Sequence, residues 1–231
     1  MKRRLSLPVA LCALALFSSC SDDDPARPDP PLHPPLQAAS WEDLCPLFRL
    51  AMTSENPARY DSLFSRDFNF VFYPDDVLQY PGEIPPVWGL AEEMESFSNM
   101  AADTSVFDVA LAWSPGDLGP STIPGCDGRL VIHDVRLTIE TSDDLGRKLT
   151  LVAEGEASFD LKKAPWTTAQ GDTVWKIARW EDRTVAFPGT PGLLPNAGLS
   201  AIEQSTWGRI KVLFFNRKGD LRSEVPGSIE E

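Results

Sequence analysis

Three long stretches in the middle of the chain alternate between apolar and polar residues. They fall within residues 107–113, 129–141 and 149–161. A period of two is that of a β-strand with one buried face. The last two stretches are joined by Asp143-Asp144-Leu145-Gly146, a turn sequence, so we expect them to pair as antiparallel neighbours. Gly155 interrupts the third stretch, where a bulge or sharp bend is expected.

Helical patterns precede these strands. Helical spacing follows Ser40, a second short helix starts at Asn56-Pro57, and a third follows Trp88. An aromatic run at 68–73 is typical of a strand, and a fourth late strand of mixed pattern covers 173–184. The order α–α–β–α–β–β–β–β predicts an α+β fold in which helices cover one face of an antiparallel sheet.

The first nineteen residues have the pattern of a bacterial secretory signal. Three basic residues are followed by a short apolar run that ends at Ser18-Ser19-Cys20. The run is too short for a membrane-spanning helix, which needs about 20 residues. Its end resembles a lipobox, so we expect Cys20 to carry lipid; an ordinary signal with an incidental cysteine is the alternative. Ser21 favours the outer membrane, with the periplasmic or the surface-exposed side left open.

Two segments of unusual composition flank the predicted domain at 38–187. Residues 20–37 are acidic and rich in proline, which predicts an extended tether. Residues 188–231 are again rich in proline and glycine, apart from a short ordered segment near 205–215. That segment fits a helix or a strand equally well. We expect it to dock on the domain and cover apolar surface, with membrane or partner contact as the alternative.

Charge and cysteine content exclude several function classes. The chain has 21 Lys and Arg against 34 Asp and Glu, a net charge of −13, which makes nucleic acid an unsuitable partner. After removal of the signal and acylation of Cys20, Cys45 and Cys126 remain. They are either a disulfide or two separate thiols. Without a Cys-x-x-Cys or Cys/His cluster, we expect no metal and no cofactor.

The element order, the Trp88-Gly89 entry to the third helix and the closing strand 174–182 resemble the nuclear transport factor 2-like superfamily, which includes SnoaL-like proteins and ketosteroid isomerase. The resemblance covers about residues 38–187. It implies a cone-like curved antiparallel sheet with helices packed on its concave face and a cavity inside. Enzymes of the family place acid–base residues in that cavity, but their catalytic residues have no matching positions in this sequence.

His133 is the best catalytic candidate, because it interrupts an otherwise apolar strand face and could act as a general base. A histidine held in the core by one hydrogen bond is the alternative. We also predict that Tyr73, Trp113, His133 and Trp175 line a ligand pocket, although aromatic residues at such positions often serve packing alone. Arg179 and Glu181 lie two apart on one strand face and can form an ion pair.

Two functions fit these features. The first is a lipid-anchored envelope module without catalytic activity, which binds a small apolar ligand or an envelope protein. The second is an isomerase, dehydratase or hydrolase of the SnoaL-like kind with His133 as base. The exposed sheet face also leaves a homodimer open.

Overall fold

The computed structural model describes residues 37–143, 145–185 and 201–217. The predicted signal peptide, Cys20 and the tether up to residue 36 lie outside this part. Helices in the described residues are α1 Leu44–Thr53, α2 Pro57–Asp61, α3 Pro74–Gln79, α4 Leu90–Ala102 and α5 Trp207–Arg217. Strands there are β1 Phe64–Val71, β2 Val87–Gly89, β3 Asp108–Gly119, β4 Gly128–Ser142, β5 Lys148–Thr167, β6 Thr173–Val185 and β7 Ala201–Ser205.

Prolines set the start of several helices. Pro46 lies at the third position of α1, where its missing N–H has no helical partner to lose, so α1 begins at Leu44 and not directly after Ser40. Pro57 and Pro74 open α2 and α3. The sequence pattern does not predict α3, because six residues that begin Pro-Asp-Asp have the composition of a turn.

The strands form one sheet in the order β2-β1-β6-β5-β4-β3. The pairs β3–β4, β4–β5 and β5–β6 are antiparallel, as the alternating pattern predicts. The sheet is nevertheless mixed, because β1 runs parallel to β6 and β7 runs parallel to β5. Strand β6 pairs with β5 from residue 154 onward, and β7 pairs with residues 149–153 of β5. Strand β7 thus continues the sheet where β6 ends.

A bulge in β4 changes which side chains face the core. The register with β5 shifts between Ile132 and Val135, Asp134 has a φ of +51°, and the opposing Gly155 has a φ of +142°. The bend predicted at Gly155 is therefore present. Alternate residues up to Ile132 are buried, then His133 and Asp134 are both exposed, and burial resumes at Val135. The prediction that His133 shares the apolar face is wrong, because the extra residue turns it outward.

Helices pack on the concave face of the sheet around a core rich in aromatic residues. Phe48 of α1 lies at the centre, with its ring centroid 5.1 Å from that of Trp113 and 5.3 Å from that of Trp180. The rings of Tyr60, Phe159 and Trp207 surround it at 5.4–6.2 Å. The α+β fold with a curved, unclosed sheet and helices on its concave face is confirmed.

The C-terminal segment that fitted two patterns is a helix preceded by a short strand. The buried side chains of α5 are Trp207, Ile210, Lys211 and Phe214, with Gly208 also buried. These positions repeat every three or four residues, so α5 turns one face inward, against α4, β5 and β6. The expectation that this segment docks on the domain is confirmed. The prediction was that the segment covers apolar surface, whereas α5 inserts its buried face into the cone interior.

Cys45 and Cys126 are free thiols, so of the two alternatives left open by the sequence the structure has two separate thiols. Cys45 lies on the buried face of α1, whereas Cys126 lies in the loop between β3 and β4. Burial raises the pKa of Cys45 to about 12, which keeps the thiol protonated and unreactive. Within the described ranges, no helix is long and apolar enough to cross a membrane, and no group of His, Cys, Asp and Glu residues could hold a metal ion.

Candidate functional site

A buried carboxylate, Glu93, lies in the cone interior. Helix α4 begins at Leu90, after the N-cap residue Gly89, whose N–H donates to the Glu92 carboxylate at 3.0 Å. This start places Glu93 on the inward face. Glu93 is 1% exposed. Its Oε1 accepts a hydrogen bond from the Tyr60 hydroxyl at 2.6 Å, and its Oε2 accepts one from Trp88 Nε1 at 3.1 Å. Two separate elements, α2 and β2, thus donate to this carboxylate.

The third partner of Glu93 is Lys211 of α5, which is 5% exposed and whose ammonium forms an ion pair with Glu93 Oε1. Its Nζ lies 4.1 Å from the ring centroid of Phe70 and 3.9 Å from that of Trp180. Burial lowers the pKa of Lys211 to about 8, because desolvation of the ammonium outweighs the attraction of Glu93. Burial and the adjacent Glu93 raise the pKa of Tyr60 well above its ordinary value.

Side chains from β6 and α3 hold the N-terminus of α5. The N–H of Trp207 donates to Thr184 Oγ1 at 2.8 Å, and that of Gly208 donates to Asp182 Oδ2 at 2.7 Å. Thr206 is the N-cap residue, because its Oγ1 accepts from the N–H of Arg209 at 3.1 Å. The Thr206 hydroxyl in turn donates to Asp76. The first three N–H groups of the helix are therefore all satisfied by side chains.

Two carboxylates in this cap are perturbed by burial. Desolvation raises the pKa of Asp182 to about 6, although hydrogen bonds from Thr184 and Gly208 act in the opposite direction. Desolvation also raises the pKa of Asp76, and here the hydrogen bond from Thr206 opposes it. A carboxylate at a helix N-terminus is favoured by the partial positive charge there. At neutral pH, the ionised Asp182 therefore ties α5 to β6.

Within the part of the chain that the structure describes, helix α5 occupies most of the cone interior lined by α2, α4 and β4. A cavity of about 20 Å³ remains, and its walls include Tyr60, Glu93, Phe97 and Lys211. That volume accommodates about one water molecule, whereas pockets for drug-sized ligands measure about 300–1,000 Å³. The concave interior in which the family resemblance implies a ligand cavity is filled by the chain's own helix.

None of the four predicted pocket residues lines this cavity. His133 lies on the outer sheet face with its side chain 51% exposed, and its Nδ1 is 2.9 Å from Glu156 Oε1. A second titratable group is thus within reach of His133, but on an open surface. Tyr73 is the residue before α3 and is partly exposed, with its hydroxyl pKa raised by Asp75. Neither His133 nor Tyr73 therefore contributes to this cavity.

The two predicted tryptophans serve packing. Trp113 is buried on β3 against Phe48 and Phe159 and does not reach the cavity. Trp175 lies near the start of β6, half-buried, with Lys163 Nζ 5.1 Å from its ring centroid. The backbone N–H of Trp175 donates to the Ala38 carbonyl at 2.9 Å. This residue therefore helps to hold the beginning of the domain. Neither Trp113 nor Trp175 lines the cavity beside Lys211.

The predicted pair of Arg179 and Glu181 is confirmed, at 3.6 Å on the outer face of β6. It belongs to a larger group. Arg129 contacts Glu181 at 2.7 Å and Asp160 at 3.3 Å, and Ser121 donates to Asp160 at 2.7 Å. These contacts join the loop after β3 to strands β4, β5 and β6, and they have a structural role.

The interior residues missed by sequence reasoning do carry a signal. Glu93 is three residues after Leu90 and four before Phe97, so it falls within the apolar stripe of its helix. Lys211 similarly lies between Trp207 and Phe214. A charged residue at a core position of an amphipathic helix indicates a buried partner, although the partner's identity needs the structure.

No family model and no curated protein matches this chain. Solved structures with a similar fold include a hexachlorocyclohexane dehydrochlorinase (LinA), with 10% identity and a TM-score of 0.43 over 69% of this chain and 88% of that one. A nuclear transport factor 2-like protein of unknown function from Rhodospirillum rubrum matches with 14% identity and a TM-score of 0.36, over 62% and 95% of the two chains.

A ketosteroid isomerase-like protein from Erwinia carotovora atroseptica matches with 19% identity and a TM-score of 0.35, over 61% of this chain and 89% of that one. These neighbours are nuclear transport factor 2-like and ketosteroid isomerase-like proteins. At such identities and TM-scores, neither an activity nor the role of any residue passes from them to this chain.

Proposed function

We propose that this protein is a lipid-anchored module of the bacterial cell envelope that acts by binding an envelope protein and has no catalytic activity. One observation carries the proposal: α5 occupies the interior in which a substrate or small ligand would bind, and about 20 Å³ remains. A small apolar ligand, the other occupant expected from the sequence, has no room while α5 is in place.

The interior charges support a structural role. A general acid or base must reach the proton that it transfers, at about 2.6–3.2 Å. Glu93 already accepts from Tyr60, Trp88 and Lys211, and Asp182 accepts from Thr184 and Gly208. Both carboxylates are thus engaged in holding α5 and α4. These polar groups stabilise the arrangement in which α5 occupies the cone.

A groove beside α5 is the surface that we assign to the partner. It has a volume of about 250 Å³ and lies between residues 80–84, β7 and α5. Its apolar residues include Ile84 and Leu213, and its charged residues are Glu83, Glu203 and Arg209, which leaves one net negative charge. Leu213 is 38% exposed on this side of the helix. An apolar groove with carboxylates suits an apolar segment of a protein that also carries basic residues.

Photo-cross-linking in the bacterium tests the partner proposal. A photoreactive amino acid at Leu213 should give a discrete adduct, because that position lies in the groove. The same residue at Leu145, which is 76% exposed on the β4–β5 turn, is the matched control and should give none. An adduct of twice the chain's mass would identify a second copy as the partner. Equal labelling from both positions, or none from either, would contradict a protein-binding groove.

The anchor is tested separately. The lipobox-like sequence and the acidic, proline-rich tether support acylation of Cys20 and an outer-membrane location, on the periplasmic or the surface-exposed side. The wild-type chain should sediment with outer membranes and incorporate labelled palmitate, whereas Cys20→Ala should do neither. Stable anchoring needs more than one acyl chain. Equal sedimentation of the two proteins would rule out anchoring through Cys20.

The enzyme alternative has one specific observation in its favour. Asp182 is a buried carboxyl group inside the cone with a pKa raised to about 6, a perturbation typical of acid–base residues. Isomerase, dehydratase or hydrolase chemistry there would require α5 to leave the interior first. A turnover found in a substrate screen and lost in Asp182→Asn, with the fold intact by circular dichroism, would establish this alternative and replace the proposal above.

A further inference from the structure

We propose that the cone contains a binding site for a primary alkylammonium group, which Lys211 of α5 occupies in this structure. The helix is then the resident occupant of a pocket whose preferred ligand chemistry is a short alkyl chain ending in –NH₃⁺. This inference goes beyond the proposed partner binding and does not depend on it.

The groups that surround the ammonium all come from elements other than α5, although Trp180 and Trp88 also pack against Trp207 and Phe215 of that helix. Glu93 comes from α4 and is fixed by donors from Tyr60 and Trp88, one on each carboxylate oxygen. Phe70 of β1 and Trp180 of β6 place their rings 4.1 and 3.9 Å from Nζ. All five residues precede α5 in the chain. A carboxylate with two aromatic rings is an arrangement that attracts cations.

Helix packing alone does not require an ammonium here. An isolated buried charge is strongly unfavourable, and a buried ion pair is often replaceable by apolar residues of similar volume. Trp207, Ile210 and Phe214 already provide the apolar face of α5. The four-carbon stem of Lys211 nevertheless passes through this face to deliver its Nζ to Glu93. The position is therefore specific for a cation that can donate hydrogen bonds.

The narrow space selects a primary ammonium over a quaternary one. About 20 Å³ is free beside Lys211, whereas three methyl groups on the nitrogen would need several times that volume. A quaternary nitrogen also has no N–H to donate to Glu93 Oε1. A trimethylammonium compound is therefore a suitable negative control ligand.

Helix α5 is held by a second, separate set of contacts, so Lys211 can be shortened without releasing it. Thr184 and Asp182 accept the N–H groups of Trp207 and Gly208, and the Thr206 side chain caps the helix. None of these contacts involves the Lys211 side chain. We expect Lys211→Ala to fold with an empty channel that leads to Glu93.

Chemical rescue of the full-length Lys211→Ala protein tests the proposal. The substitution removes three methylene groups beyond Cβ and the ammonium, which together have the composition of n-propylammonium. The variant should melt several degrees below wild type at neutral pH. Millimolar n-propylammonium should raise its melting temperature by several degrees with a saturable dose dependence. Equal concentrations of n-propanol or propyltrimethylammonium should not, and the wild-type protein should respond to none of the three.

Lys211→Ala/Glu93→Gln is the matched control variant, because it keeps the channel and removes the carboxylate charge. The selective response to n-propylammonium should disappear in it. If Lys211→Ala does not fold unaided, its refolding yield in n-propylammonium against n-propanol becomes the measurement. In either format, equal effects of the amine and the alcohol, or the absence of any effect, would overturn the proposal.

Discussion

The two faces of the sheet carry charge in different ways. On the inner face, Lys211 and Glu93 form one ion pair at almost complete burial. On the outer face, Arg129, Arg179 and Arg183 share Asp160 and Glu181 at distances of 2.7–3.6 Å, with the arginine side chains partly in solvent. The inner pair has a single cation, whereas the outer group has several that can substitute for one another.

The two kinds of ion pair therefore act differently: the inner pair determines where α5 lies, and the outer pairs add to the free energy of unfolding. Solvent screens an exposed outer pair such as Arg136 and Glu154, so that pair contributes about 0–1 kcal/mol, whereas Asp160 within the outer group is itself buried. The inner pair pays a desolvation penalty for both charges, and removing one partner leaves the other uncompensated. Its consequence is therefore geometric: the contact of Nζ with Glu93 sets the position of α5 in the cone, while the contacts at the N-terminus of α5 hold the helix on their own. The following substitutions test that contrast, beginning with the largest expected effect.

Glu93→Ala should produce the largest loss. It leaves the buried Lys211 ammonium without a counter-charge and the Tyr60 hydroxyl and Trp88 N–H without an acceptor. Breaking a buried pair in this way costs about 3–5 kcal/mol. Urea unfolding followed by tryptophan fluorescence measures the free energy of unfolding. A loss below about 1 kcal/mol, the range of an exposed pair, would remove the distinction between the faces.

The pH dependence of stability should show the next largest effect, through Asp182. Its folded-state pKa is raised from 3.8 to about 6, so the native state binds this proton more tightly than the unfolded state does. The added stability is fully present below about pH 4 and is lost as pH rises through about 6, with a magnitude of about 3 kcal/mol at most.

Asp182→Asn isolates this effect from the other carboxylates. Asp76 shifts in the same direction, and Glu181 on the outer face shifts in the opposite one. Unfolding free energies measured from pH 4 to 7 should therefore fall more steeply for wild type than for the variant. Parallel curves would show that Asp182 titrates normally and is not desolvated by α5.

Gly208→Ala should destabilise by an intermediate amount, about 1–3 kcal/mol, through overpacking. An added Cβ would lie 2.7 Å from Phe72 Cδ1 and 3.3 Å from Asp182 Oδ2, so α5 would have to move away from β6. Gly146→Ala is the control without steric contact, since nothing lies within 4 Å, although its φ of +72° adds local strain. Thermal unfolding compares the two. A smaller loss for Gly208 than for Gly146 would contradict close packing of α5.

Periodicity predicted the sheet well because each long strand has one apolar face. The turn sequence that begins at Asp143 also indicated that β4 and β5 are antiparallel neighbours. It failed at His133 because one additional residue at a bulge reverses the facing of the positions around it, and nothing in the alternation marks where the extra residue sits. The parallel pairing of β1 with β6 was also hidden, because strand order depends on contacts across the whole chain.

The site was predicted less well than the fold for a related reason. Lys211 and Glu93 are 118 residues apart, and their pairing requires α5 to enter the cone from a segment with the composition of a tail. Each residue shows locally only as a charge in an apolar stripe. Such a charge indicates that the residue has a buried partner. Only the structure shows which residue that partner is.

Arg136→Ala should have the smallest effect, because it removes an exposed ion pair on the outer sheet face. Arg136 Nη1 lies 3.2 Å from Glu154 Oε1, with 62% of the arginine side chain exposed. We expect a loss below about 1 kcal/mol. The loss should shrink between about 0.01 and 1 M salt, as the screening length falls from about 30 to 3 Å. The loss from Glu93→Ala should change little over the same range, since its pair excludes solvent. Similar salt dependence in both variants would mean that water reaches the inner pair and that α5 does not exclude solvent from it.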